Sequence, residues 1–167
     1  ICLLLLSIFT ITLINGLFLE KYYVSKKVEV LEEAKEVLSQ MNLDDILQYD
    51  TDIEEDKKGA TDEISDEIER SSSRNNLTWI IVNEENSGYY YWGENNMAKM
   101  LRSKLFGYIN NLDQDMQHSR VLKKTDTCTM WQVHDRFAGM EYVECWGQFD
   151  NGYYFLIRSP LESIKES

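Results

Sequence analysis

An α+β fold is expected here: a long N-terminal helix, then a five-stranded antiparallel sheet flanked by helices. Three observations in the 167-residue chain carry that expectation. Residues 1–19 (ICLLLLSIFTITLINGLFL) bear no charge, and residues 17–41 continue without Pro or Gly at helical apolar spacing. Short β-branched and aromatic runs follow, LTWIIV and YYYW first, then three more in the last third of the chain. The last two runs are joined by Asp150-Asn151-Gly152, and Asn-Gly is the strongest short-range hairpin signal. The length suits one ordinary domain with an appendage.

Composition excludes several function classes. There are 17 basic and 29 acidic residues, a formal charge of -12. Phosphate binding needs a clustered positive face, so no nucleic-acid partner is expected. Two His and three Cys occur without CxxC or HxxxH spacing, and no P-loop, GxGxxG or GxSxG is present. No catalytic residues, metal or cofactor are therefore expected. One Pro, eight Gly and 12% aromatic residues fit a folded domain, not a disordered tail.

Taking the elements in order, the 19 uncharged residues rise about 28 Å as a helix, close to the thickness of a bilayer's apolar core. Ser7, Thr10 and Thr12 are tolerable there because their hydroxyls can bond back to the helix. A cleaved signal peptide is the rival; it would be shorter and end in a small-x-small site, which Gly16-Leu17-Phe18 does not supply. The expectation is a retained membrane helix over 1–19, with residues 20–167 outside the cytoplasm. The chain starts at Ile1, and its natural start is expected upstream.

Residues 20–43 form the expected membrane-proximal signalling helix. Leu17, Val24, Leu31 and Leu38 recur every seven residues, with Val28 on the same stripe. Such a stripe packs on its own domain or forms a parallel homodimer, and a homodimer through this helix is expected. Lys21 and Lys35 at the alternate seam positions weaken a strict coiled coil. Residues 44–59 are an acidic loop; the wider span 44–69 holds twelve acidic residues against Lys57 and Lys58. Asp50, Asp52 and Glu54 alternate as in a calcium loop. Glu55 stands where Gly is required and Thr61 where the bidentate Glu belongs, which excludes an EF-hand. A solvated loop or loose cation association remains.

The sheet domain is placed at 60–159. Thr61 reads as an N-cap, with Ile64 and Ile68 on one helix face. Strands are expected at Leu77–Val82, Tyr89–Trp92, Thr127–Val133, Glu141–Phe149 and Tyr153–Ser159, the first and last of these in the sheet interior. A helix is expected over 94–115, with Met97, Leu101, Leu105, Tyr108 or Ile109, and Leu112 on one side. Pro160 opens a final helix over 160–167, a position where proline is tolerated.

The chain close, EYVECWGQFDNGYYFLIRSPLESIKES, resembles the end of the extracytoplasmic PAS-like (Cache or PDC-like) sensor domains of bacterial transmembrane histidine kinases. Trp146, Gly147, Asn151, Gly152, Leu156, Ile157, Arg158, Pro160, Leu161, Glu162, Ser163 and Ile164 carry it. WIIVNEENSG is a looser match to a hairpin of that family, and the acidic segment departs from it. The resemblance implies a PAS-like sheet, no enzymatic activity in these residues, and a membrane-bound sensory module. It would relay a small ligand, cation or peptide cue through flanking helices to a kinase core and second membrane helix beyond Ser167. The same architecture on a chemoreceptor or cyclase is a second reading. A membrane-anchored extracellular binding protein that signals nothing is a third.

Candidate sites follow from an assumed two-residue hairpin loop, which sets Trp146 opposite Ile157. Tyr142, Glu144, Trp146, Gln148, Tyr153, Phe155 and Ile157 then share one face. Glu144 and Gln148 beside aromatic rings suit a ligand pocket as well as an ordinary sheet core. The candidate ligand residues are Trp131, Glu144, Trp146, Gln148, Phe155 and Arg102. His134 and Arg136 are expected in a surface turn, with His134 open to titration near neutral pH. If the preceding connection centres on Arg136-Phe137, Cys128 faces Cys145, allowing a disulfide outside the cytoplasm.

Overall fold

The computed structural model describes residues 2–41, 48–49, 63–83, 88–94 and 97–161. One helix, α1 (Cys2–Ser39), runs unbroken through the uncharged stretch and the amphipathic one. Its first half is bare: Leu3, Leu6, Phe9 and Phe18 are all exposed. This helix is long and apolar enough to cross a membrane. Its polar residues are satisfied within the helix, Ser7, Thr10 and Thr12 donating to the carbonyls of Leu4, Leu6 and Ile8 at 2.9, 2.7 and 2.8 Å.

From Val24 onward α1 becomes a core element. Leu31 and Leu38 are 0% exposed, Val24, Ala34 and Met41 are buried, and Val28, Val30 and Val37 pack half-buried around them. The seven-residue stripe therefore turns to the chain's own sheet. Leu31 and Leu38 lie in that core and Val24 is buried as well, so these side chains pack within the chain itself. Apolar spacing identifies a face that is covered but not what covers it. The side chain of Leu17 lies outside the described residues.

After α1 come β1 (Gln48–Tyr49), α2 (Glu63–Asn75), β2 (Thr78–Val82), β3 (Gly88–Trp92) and α3 (Ala98–Ile109). A 3₁₀ turn (Gln114–His118), β4 (Arg120–Lys124), β5 (Cys128–Asp135), β6 (Met140–Gln148) and β7 (Tyr154–Pro160) complete the order. The strands form one antiparallel sheet, β1-β3-β2-β7-β6-β5-β4, with β2 and β7 interior as expected. Six of its strands have five residues or more, and β1 adds a two-residue edge, in place of the five expected. The missed strand, β4 (RVLKK), is a sheet edge whose residues are mostly exposed, so no apolar alternation marks it. Edge lysines of this kind discourage further strand pairing.

The helix expected over 94–115 stops at Ile109, where Asn111 takes φ 56 and leaves Leu112 77% exposed. Pro160 is the last residue of β7, where the start of a final helix was expected. The Leu161 amide still donates to the Glu141 carbonyl at 2.9 Å, so the position of Pro160 needs no N–H toward β6. Residues 162–167, Thr61, the side chain of Ile64 and nearly all of the acidic loop lie outside the described residues.

The β6–β7 hairpin has a three-residue loop. The Phe149 amide donates to the Tyr153 carbonyl at 2.8 Å, and Gly152 takes φ 90. Trp146 therefore faces Leu156, one residue from the expected partner, and every β7 side chain changes face. On one face Val143, Cys145, Phe149, Phe155 and Ile157 join Trp79, Ile81 and Met130 beneath α1 and α2. On the other, Ile80, Val82, Trp131, Val133 and Leu156 pack under α3 through Leu101, Leu105 and Tyr108.

Leu31→Ala should cost about 2–5 kcal/mol of stability by leaving a cavity between α1 and the sheet. Tyr22→Ala, at a residue 60% exposed, should change it by less than about 0.5 kcal/mol. Urea midpoints of the detergent-solubilised chain check both values. Equal midpoints for the two variants would contradict α1 being part of the core.

Candidate functional site

Helix α3 presents Leu101, Lys104, Leu105 and Tyr108 to the sheet, one face of a 3.6-residue period. Beneath it Glu144 is 0% exposed. The Tyr108 hydroxyl donates to Glu144 Oε2 at 2.7 Å, and the Trp131 indole N–H donates to the same oxygen at 3.1 Å. Three rings enclose the carboxyl: Tyr108 meets Trp131 edge-on at 4.7 Å, and Trp146 lies 5.3 Å from Trp131 and 5.6 Å from Tyr108. Glu144 Oε1 and Trp146 Nε1 are buried without a hydrogen-bond partner among the described residues.

A chain of charges continues from this point. Lys104 Nζ donates to Asp115 at 3.0 Å and to Asp135 at 3.2 Å. Arg158 donates to the same Asp135 oxygen at 2.7 Å and covers the Tyr142 ring at 4.3 Å. The other Asp135 oxygen accepts the amides of Phe137 and Ala138, closing the β5–β6 turn. Arg136 reaches Asp115 at 2.7 Å from the turn itself. Lys104, Asp115, Asp135 and Arg158 are all buried. Removing two charges from water costs about as much as their attraction returns, so such a network fixes geometry more than it adds stability.

The electrostatics separate the carboxylates. Burial would raise Asp115 and Asp135. Hydrogen bonds from Arg136 and Lys104 hold Asp115 below its usual range, and the Ala138 amide, Lys104 and Arg158 do so for Asp135. Glu144 goes the other way: burial pushes its carboxyl up against the opposing pull of Lys104, Tyr108, Trp131 and Arg158. Burial and the adjacent Glu144 push the Tyr108 hydroxyl far up, so it remains a donor.

Of the expected ligand residues, the fold brings together Trp131, Glu144 and Trp146. Phe155 is a correction: the register shift puts it on the opposite face, stacked on Phe149 at 4.2 Å. Gln148 donates within its own hairpin to the Gly152 carbonyl at 3.0 Å. Arg102 sits over the Tyr89 ring at 5.7 Å. His134 lies at the surface, 3.1 Å from Glu141. Lys104, Tyr108, Asp115, Asp135 and Arg158 were not expected as a cluster. A lysine one position from the apolar stripe of Leu101, Leu105 and Tyr108 was the available signal.

Cys128 and Cys145 are free, buried thiols, without the bridge that the assumed register allowed. The β5–β6 turn centres one residue later than assumed, with Gly139 at φ 67. Cys128 thus pairs with Gly147, and Cys145 with Met130, leaving the two cysteines diagonal on the α1 face. Among the described residues, no group of three His, Cys, Asp or Glu is placed to hold a metal ion. Comparison with known proteins finds no matching family model, curated relative or solved structure.

Glu144 gives a signed pH dependence. Its folded state keeps the proton to higher pH than the unfolded chain does, so its contribution to stability falls as pH rises above about 4.3. Glu144→Gln lacks that loss, while Asp115 and Asp135 titrate in both proteins. The stability difference between variant and wild type should therefore move in favour of the variant between about pH 4 and pH 8. Urea denaturation at several pH values reads it, and a gap constant across the range would contradict a proton held on Glu144.

Proposed function

We propose that this chain is the signal-sensing module of a membrane-spanning sensor histidine kinase. Its PAS-like sheet domain lies outside the cytoplasm and is anchored by the first half of α1. The observation that carries this reading is the junction of α1 with the end of β7. Lys27 on α1 donates to Ser159 Oγ at 2.7 Å, and Ser159 Oγ donates in turn to the Asn75 carbonyl at 3.2 Å. The helix that leaves toward the apolar span is thereby tied to the C-terminal end of α2 and to the last strand.

Farther along, the same helix meets β4 through the Glu32–Lys123 ion pair and β5 through Lys35 and Cys128. One rod thus crosses from β7 to the β4 edge and responds to the twist of half the sheet. On the other face, a small polar ligand donating to the unpartnered Oε1 of Glu144 enters the enclosure of Tyr108, Trp131 and Trp146 and so bears on α3. A ligand that binds one arrangement better than the other shifts the helix population by that difference in affinity, whatever its absolute affinity. The chemistry of phosphorylation belongs to a kinase core that these residues do not contain. The trio Trp131, Glu144 and Trp146, together with the resemblance of the chain's close to kinase sensor domains, supports this reading over a purely adhesive role.

The test uses membranes carrying the complete gene product. Incubation with ATP should label a histidine with acid-labile phosphate, and Lys27→Met should change the labelling rate at least several-fold while the urea midpoint of the sheet domain stays in place. Absence of any phosphohistidine would overturn the reading in favour of a non-signalling membrane-anchored binding protein.

A further inference from the structure

The α1 face of the sheet holds a second chemically distinctive group. Cys128 opens β5 and Cys145 lies on the neighbouring β6, both turned toward α1. Lys35 of α1 points its ammonium at Cys128 Sγ at 3.8 Å, and the Thr125 hydroxyl lies 3.3 Å from the same sulfur. Gly147 faces Cys128 across the strands. A Cβ there would overlap the Thr127 carbonyl, so only glycine permits so close an approach of the two backbones. Cys128 is 5% exposed and Cys145 0%, so Cys128 is the nearer of the two to solvent and neither presents a surface to a protein oxidant.

We propose that Cys128 and Cys145 form an oxidation site for small hydroperoxides, in which Cys128 attacks and Cys145 resolves. The assignment of roles follows from the surroundings. A hydrogen bond from the Cys145 thiol, opposed by burial and reinforced by Thr125 and Lys35, brings the Cys128 thiol down to about 5. Cys145 is held well above its ordinary range by its hydrogen bond to Cys128, by burial and by the charge of Cys128. The Cys128 thiolate attacks the terminal hydroxyl oxygen of the hydroperoxide: an S–O bond forms, the O–O bond breaks, and the departing hydroxide or alkoxide takes a proton from solvent to become water or an alcohol. Sulfur is oxidised by two electrons, and the peroxide is reduced. Once Cys128 is a neutral sulfenic acid, its charge no longer opposes ionisation of Cys145. The Cys145 sulfur then attacks Cys128, an S–S bond forms, the S–O bond breaks, and the hydroxyl leaves with the Cys145 proton as water.

This step has a mechanical consequence. Diagonal cross-strand neighbours have Cα atoms about 7–8 Å apart, whereas a disulfide favours less than about 6.8 Å. Closing the bond therefore draws the start of β5 toward β6 and removes the anionic sulfur that Lys35 of α1 faces. The chemistry stands independently of the sensor reading, and only its use as an input rests on it.

The experiment takes the whole chain in lipid nanodiscs with Cys2→Ser, so that the two thiols in question are the only ones. Without further substitution, the rate of Cys128 alkylation by a small haloacetamide should follow a midpoint near pH 5, against about 8.5 for an ordinary thiol. Hydrogen peroxide should remove two hydrogens from the intact mass. Cys145→Ser should instead stop at a sulfenic acid that a dione reagent traps on Cys128, and Lys35→Met should raise the alkylation midpoint. An alkylation rate still climbing through pH 8.5, first oxidation at Cys145, or no mass change at peroxide levels that oxidise free glutathione would each overturn the proposal. Failure of the sensor reading shows separately, as absence of histidine labelling whatever the state of the thiols.

Discussion

Everything else in this molecule depends on the docking of the second half of α1 onto the sheet. A single helix changes character along its length: its first half presents Leu3, Leu6 and Phe9 outward, and its second half buries Leu31 and Leu38 completely. Burying each of those leucines is worth about 1.5–3 kcal/mol. No Pro or Gly within 17–41 supplies a joint between the halves. The orientation of the sheet is therefore set by the helix, and any strain in the sheet is delivered to the helix.

The two faces of the sheet meet this constraint differently. The α1 face is mostly apolar, its polar contacts being the thiol pair, the Trp79 indole N–H on Ser72 Oγ, and those of Lys27, Lys35 and Glu32 at its margins. The α3 face is built around charge: Glu144 under Tyr108, then Lys104, Asp115, Asp135 and Arg158. Asp135 holds it together, since one carboxylate closes the β5–β6 turn and also receives Lys104 from α3 and Arg158 from β7. Such a network has one satisfied geometry and tolerates little sliding, whereas an apolar contact shifts without losing specific partners. A cue entering through α3 would act on the specific face, and α1 would read it on the compliant one.

Much of this was legible in the residues, and the failures have physical causes. The periodicities at 17–41 and in the five apolar strands gave elements that the fold contains, with β2 and β7 interior. The edge strand β4 escaped because exposed lysines leave no alternation to see. The β6–β7 hairpin was misregistered by one residue, because Asn151-Gly152 fits a two-residue loop as well as a three-residue loop with glycine in the left-handed region, and the β5–β6 partners slipped by two. That single residue moved Phe155 to the other face, and the later turn centre separated Cys128 from direct opposition to Cys145. The stripe Val24, Leu31 and Leu38 was correctly apolar, but spacing alone does not distinguish a partner helix from the chain's own sheet. The Lys104–Asp135–Arg158 network joins residues distant in sequence, and only the topology brings them together.

Native-state hydrogen exchange of the chain in nanodiscs tests the central claim most directly. If the second half of α1 and the sheet are one unit, the amides of residues 28–38 open only with the free energy of global unfolding, the same within about 1 kcal/mol as those of Leu156 and Ile157 in β7. Opening of the helix amides at a distinctly lower free energy, with the sheet still protected, would mean that the rod moves independently of the domain and would contradict the account.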